Sequence, residues 1–147
     1  MLLPRLRVLF LCTGNSCRSQ MAEGWVRQLR SDQLEPFSAG VEPTGLNARA
    51  VAVMAESGVD ISRQRSKHVD ELADARFDLV VTLCAGARER CPVPAHATRV
   101  IHVEFDDPPE QARGARSEAE ALDPYRRVRD EIRKFVATIG RQEDTDE

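Results

Sequence analysis

The sequence predicts an α/β fold built on a buried parallel sheet, and three observations predict it. Residues 6–12, LRVLFLC, form a short and nearly continuous apolar run, the pattern of a strand covered on both faces. From Ser19 the period changes, with Met21, Ala22, Trp25, Val26 and Leu29 at helical spacing, so that strand, loop and helix follow one another. A second buried-strand run, FDLVVTLC from Phe77 to Cys84, also ends in cysteine. Carboxyl ends of strands in an open parallel sheet line one rim, where ligands bind, so Cys12 and Cys84 are expected as neighbours there.

The remaining elements continue the alternation. Phe37 to Val41 reads as a second short strand, and Leu46 to Ser57 as a helix stopped by Gly58. Val69 to Ala75 reads as a short helix and Val100 to Phe105 as the last strand. Tyr125 to Ile139 is amphipathic, with Val128, Ile132, Phe135, Val136 and Ile139 inward. Between them, PPEQARGARSEAEAL (108–122) is polar and lacks periodicity until Ala119, which predicts a long mobile or functional loop. Residues 140–147, GRQEDTDE, read as a frayed tail on a single domain spanning 1–147, with no internal repeat.

Composition narrows the function classes. With 147 residues, 41% hydrophobic and 31% charged, the chain has the make-up of one ordinary soluble domain. A formal net charge of −3 gives no global basic field to recruit nucleic acid or an anionic membrane, so any anion site must be local. No apolar run reaches the roughly 18–20 residues of a membrane span, and MLLPRLRVLFLC is broken by Pro4, Arg5 and Arg7, unlike a signal peptide. The expectation is a cytoplasmic monomer without a cofactor. In a reducing compartment Cys12, Cys17, Cys84 and Cys91 are more readily chemical than structural.

The stretch CTGNSCR is C-x5-R: a thiol, five residues able to curl into a ring, and an arginine to close it. Gly14 and Asn15 tolerate left-handed backbone, which lets the N–H groups of Thr13, Gly14, Asn15, Ser16 and Cys17 converge as an anion nest. The helix beginning near Arg18 adds its positive end, and the guanidinium adds a planar fork for two oxygens of a tetrahedral anion. The same field favours the thiolate of Cys12, and Ser19 is placed to hydrogen-bond it. The loop thus sets a nucleophile beneath a held oxyanion. Cys17 is expected to pack without chemistry. A zinc site fits poorly, because C-x4-C and C-x6-C on strand ends depart from the paired spacings of structural sites.

With those residues in view, the chain resembles the low-molecular-weight tyrosine phosphatase fold and, within it, the thioredoxin-coupled arsenate reductases. CTGNSCRSQMAEGW carries the likeness, which continues through FSAG (37–40), DLVVTLC (78–84), FDDP (105–108) and YRRVRDEI (125–132). The resemblance implies a three-layer sandwich with a central four-stranded parallel sheet and helices on both faces. It implies arsenate as substrate, Cys12 as nucleophile, Cys84 as the thiol that releases arsenite, and Cys91 as the thiol that takes the disulfide outward to thioredoxin. CAGARERC spans one or two helical turns, too far for an unstrained bridge if helical, so a Cys84–Cys91 bond requires that segment to unravel.

The resemblance also places a general acid on the aspartate of a D-P pair, and two are present, Asp107-Pro108 and Asp123-Pro124. Position favours Asp107, directly after the last predicted strand, whereas Asp123 would cap the last helix and Asp106 would order the loop. Some members hold potassium behind the loop; Asn15, Glu23 and Ser38 match that set, but Lys67 stands at the aspartate position, so its ammonium is expected to replace the ion. His68, His96, His102, Arg113 and Arg116 are read as surface residues. Two other functions share these residues: a tyrosine phosphatase using Cys12, Arg18 and Asp107, and a non-enzymatic arsenic- or redox-responsive binding module. Weak aryl-phosphate hydrolysis would not separate them, because the loop permits it, and a small-thiol reductant is an alternative to thioredoxin.

Overall fold

The computed structural model describes residues 4–83 and 96–140. Four parallel strands, β1 (Leu6–Leu11), β2 (Leu34–Ala39), β3 (Leu79–Thr82) and β4 (Val100–His102), form one sheet in the order β2-β1-β3-β4. β1 is central, and its Val8, Leu9, Phe10 and Leu11 have no exposed surface, as a strand covered on both faces requires. Side chains alternate between two clusters. Val8, Phe10, Leu79 and Val81 pack against three helices, α1 (Arg18–Leu29), α2 (Ala48–Glu56) and the long α4 (Glu118–Thr138). Leu9, Leu11 and Val80 face a smaller cluster with Ala39, Val69 and Phe77, beside a 3-10 turn at Val69–Leu72.

Several boundaries differ from the sequence expectation. β2 begins at Leu34 rather than Phe37, because register with β1 pairs Leu6 with Leu34. It is an edge strand, which tolerates Pro36 and a half-exposed pattern that weakens its sequence signal. The expected helix at 69–75 is only the four-residue 3-10 turn. β4 is regular only to His102, although Val103 and Phe105 still donate backbone N–H groups to Thr82 and Leu83. α2 ends as expected, with Gly58 left-handed at φ 81° two residues past its last turn.

The largest correction concerns 108–122, which is not a long loop. A one-turn helix, α3 (Pro108–Gln111), is followed by α4 starting at Glu118. Ser117 is the true cap: its hydroxyl accepts the Glu120 N–H at 3.1 Å while the Glu120 carboxylate accepts the Arg116 N–H at 2.9 Å. Asp123 therefore lies inside α4 and does not cap it.

Strand order fixes where a ligand can bind. The chain leaves β1 toward β2 on one side and returns to β3 on the other, so connections diverge at the carboxyl ends of β1 and β3. The segment after β1, residues 12–17, occupies that divergence.

Candidate active site

Cys12 follows β1 directly and is 3% exposed. The five residues after it curl before Arg18 opens α1, and their carbonyls are held from outside. Glu42 N–H donates to the Thr13 carbonyl (2.9 Å), Thr44 N–H to that of Gly14 (3.1 Å) and Asn47 N–H to that of Ser16 (3.0 Å). Ser66 Oγ gives Gly14 a second donor at 3.2 Å, and Gln20 Nε2 donates to the Asn15 carbonyl at 2.9 Å. Across a trans peptide the next N–H points opposite to the carbonyl, so the N–H groups of residues 14–17 turn away from these supports. The result is the geometry of an anion nest.

Asn15 is left-handed, at φ 45°. Its side chain explains why the conformation holds. Oδ1 accepts the Lys67 backbone N–H at 2.8 Å, so Nδ2 must be the group that donates to Ser19 Oγ, also at 2.8 Å. With that acceptor site filled, the Ser19 hydroxyl proton is available to Cys12 Sγ at 3.3 Å. Gly14 is not among the left-handed residues, contrary to expectation. It is needed for room: a Cβ there would stand 2.9 Å from Thr44 Oγ1. Gly40 is tighter still, with a Cβ meeting the Thr13 and Cys12 carbonyl oxygens at 2.5 and 2.6 Å.

Arg18 is 8% exposed. Its Nη1 donates to the Phe105 carbonyl at 3.1 Å, its Nη2 lies 3.5 Å from Asp107 Oδ1, and its Nε is buried without a hydrogen-bond partner among the described residues. A buried guanidinium N–H without an acceptor is costly, and an oxyanion is the group that would complete it. The cavity of about 390 Å³ in front of Arg18 is lined by Cys12, Thr13, Gly14, Ser16, Cys17, Glu42, Thr44, Asp107 and Pro109. Cys17 is equally buried, and burial, then the neighbouring Cys12, push its thiol far up, so it stays neutral.

Of the candidate acids, only Asp107 reaches this cavity. It precedes α3 without capping it through its side chain, which leaves the carboxylate toward Arg18. Asp106 pairs with Arg127 at 3.1 Å, and Asp123 pairs with Arg126 on the exposed face of α4. Behind the ring, Asn15, Glu23, Ser38 and Lys67 come together. Ser38 Oγ donates to buried Glu23, which also pairs with Arg27, and Lys67 Nζ donates to the Ser38 and Arg65 carbonyls at 2.9 Å each. Burial pushes the Lys67 pKa down, against the pull of Glu23.

Cys84 and Cys91 lie outside the described residues. Among the described residues no cluster of three His, Cys, Asp or Glu can hold a metal, and no helix is long and apolar enough to cross a membrane. The sequence reading missed the supports of the ring: Gln20, Thr44, Asn47, Ser66 and Gln64, whose amide donates to Gln20 Oε1 at 2.8 Å. Two had signals. Gln20 is a polar residue on the buried face of α1, and Asn47 is a helix cap whose side chain accepts Ala50 N–H.

An open parallel sheet whose central strand is followed directly by a buried cysteine, with a nest-like loop and a buried arginine beside it, defines a thiol protein with a C-x5-R loop. The chain belongs to the low molecular weight phosphotyrosine protein phosphatase family, whose model matches residues 7–144. It is 47% identical over 133 residues to an arsenate reductase of Halalkalibacterium halodurans, covering 90% of this chain and 94% of that protein. With an arsenate reductase of Bacillus subtilis the identity is 51% over 126 residues, 85% of this chain and 88% of that protein. A solved arsenate reductase in the phosphate binding state matches the fold with a TM-score of 0.71 at 28% identity, covering 91% of this chain and 95% of that one.

Proposed function

We propose that this chain is a cytoplasmic, monomeric arsenate reductase working by a three-cysteine relay. The observation that carries the reading is the meeting of Cys12, Arg18 and Asp107 at one cavity, in a chain whose similar relatives are named arsenate reductases. Arsenate is held by the N–H groups of the 13–18 ring and the Arg18 fork. Cys12 Sγ forms a bond to As(V), and the displaced As–OH takes a proton from Asp107 and leaves as water. Cys84 then attacks Cys12 Sγ: the S–S bond forms, the S–As bond breaks, and its electron pair stays on arsenic, releasing As(III) as arsenite. Cys91 attacks Cys84 and expels the Cys12 thiolate. The dithiol of thioredoxin reduces the Cys84–Cys91 bond and is itself oxidised.

Lys67 is proposed to replace the potassium ion of other family members, supported by its two carbonyl contacts behind the ring. The relay is tested by arsenate-dependent NADPH oxidation with thioredoxin and thioredoxin reductase, comparing wild type with Cys84→Ser and Cys91→Ser. The expected result is turnover by wild type alone. Turnover by the Cys91 variant at the wild-type rate would mean that an external thiol resolves an earlier intermediate. Strong hydrolysis of phosphotyrosine peptides without arsenate turnover would favour a phosphatase, and tight arsenite binding without turnover would favour a binding module.

A further inference from the structure

The Asp123-Pro124-Tyr125 triplet is left without a part in the chemistry, because Asp123 is exposed and paired with Arg126. Its tyrosine is another matter. Tyr125 is 1% exposed, in the core shared by α1, α2 and α4. A buried phenol needs a hydrogen-bond partner, and the Tyr125 hydroxyl oxygen accepts the Asn47 side-chain amide at 3.2 Å. Burial pushes the phenol's pKa up, so it remains a hydroxyl.

The orientation of Asn47 is determined by its second contact. Its Oδ1 accepts the Ala50 N–H at 3.0 Å as the cap of α2, so Nδ2 is the atom that faces the tyrosine. Its backbone N–H donates to the Ser16 carbonyl at 3.0 Å. One residue therefore joins α4, the start of α2 and the ring.

We propose that Tyr125 is a positioning residue for the oxyanion ring, acting through Asn47 on the Ser16–Cys17 peptide. The proposal rests on residues 13–18 being an oxyanion site, and does not require arsenate turnover. With the Ser16 carbonyl held by Asn47, the Cys17 N–H is turned toward the anion. Without the phenol oxygen the half-buried Asn47 amide has lost its acceptor and rotates toward water, which releases the cap and frees the Ser16 peptide to tilt. Anion affinity falls although no group touching the anion has changed.

The test is calorimetric titration of inorganic phosphate into the full-length reduced protein, as wild type, Tyr125→Phe, Asn47→Ser and the double variant. Serine keeps a capping oxygen for Ala50 but is too short to reach the tyrosine. Each single variant is expected to bind phosphate about 3–10-fold more weakly, the range of one lost hydrogen bond. The Tyr125 hydroxyl also lies against the Arg49 side chain, so the double variant is expected to be no weaker than the weaker single, since both singles cut the Asn47 link. Steady-state assays with arsenate are expected to show KM raised by the same factor and kcat within about twofold of wild type. Wild-type phosphate affinity in a Tyr125→Phe protein that merely melts earlier would overturn the proposal, as would additive losses in the double variant. A wild type that binds phosphate but reduces no arsenate would sink the reductase reading and leave this one to be judged on the phosphate titrations.

Discussion

At the scale of single residues, the ring is held by groups bonded to its carbonyls from outside. Gly40 shows how little tolerance there is, since an added methyl group would meet two carbonyl oxygens of the loop at 2.5 and 2.6 Å. Gly40→Ala is expected to destabilise the protein by about 1–3 kcal/mol, as overpacking does, and to weaken phosphate binding at least tenfold. Thermal melting with and without phosphate measures both. Asp107 makes the opposite kind of contribution, being half exposed and paired, among the described residues, only with Arg18 at 3.5 Å. Asp107→Asn removes the proposed proton donor and a carboxylate competing for Arg18. Its kcat for arsenate is expected to fall roughly 10²–10⁴-fold while phosphate binds as well as or better than in wild type. A variant retaining kcat would assign the acid elsewhere.

At the scale of elements, α2 and α4 are clamped where Glu56 receives Arg126 at 2.8 Å and Arg129 at 3.0 Å. Hydrogen bonds from Arg126, with those from Arg129, hold the Glu56 carboxyl down at about 2, against a free value of 4.5. A carboxylate with a depressed folded-state pKa contributes stability that is fully present above the unfolded value and is lost as pH falls through the folded one. The clamp should therefore loosen between pH 4.5 and about 2. Glu56→Gln is expected to give a melting temperature that depends less steeply on pH across that window. An unchanged slope would show that other carboxylates govern acid unfolding. The start of α4 was legible after all, in the Ser117-Glu118-Ala119-Glu120 capping pattern. It was obscured because the first turn is charged and exposed, leaving no apolar period to read.

At the scale of the whole molecule, the strand order β2-β1-β3-β4 places the cysteine-bearing end of β1 at the point where connections diverge. The back of the ring is closed by residues 64–67, where Lys67 supplies a cation to the Ser38 and Arg65 carbonyls. Wild-type melting temperature and arsenate turnover are therefore expected to be the same in potassium as in an equal concentration of a bulky organic cation. Lys67→Ala is expected to acquire potassium dependence. A several-fold potassium effect on the wild type would exclude the replacement.

The sequence by itself determined what is local. The buried β1 run, the C-x5-R loop and the start of α1 are contiguous, so their residue types announce strand, loop and helix within one stretch. Their neighbourhood also favoured Asp107 over Asp123, because one follows a strand end and the other does not. Only the tertiary structure decided what holds the ring. Apart from Gln20, its supports come from residues 42–47 and 64–67, with Ser66 reaching Gly14 across 52 positions. Tyr125 is tied to Asn47 across 78. Such contacts leave no periodicity to read, because they depend on how the strands are ordered and how the helices pack. The same packing set the edge register of β2, where pairing with β1 outweighed the local pattern around Pro36.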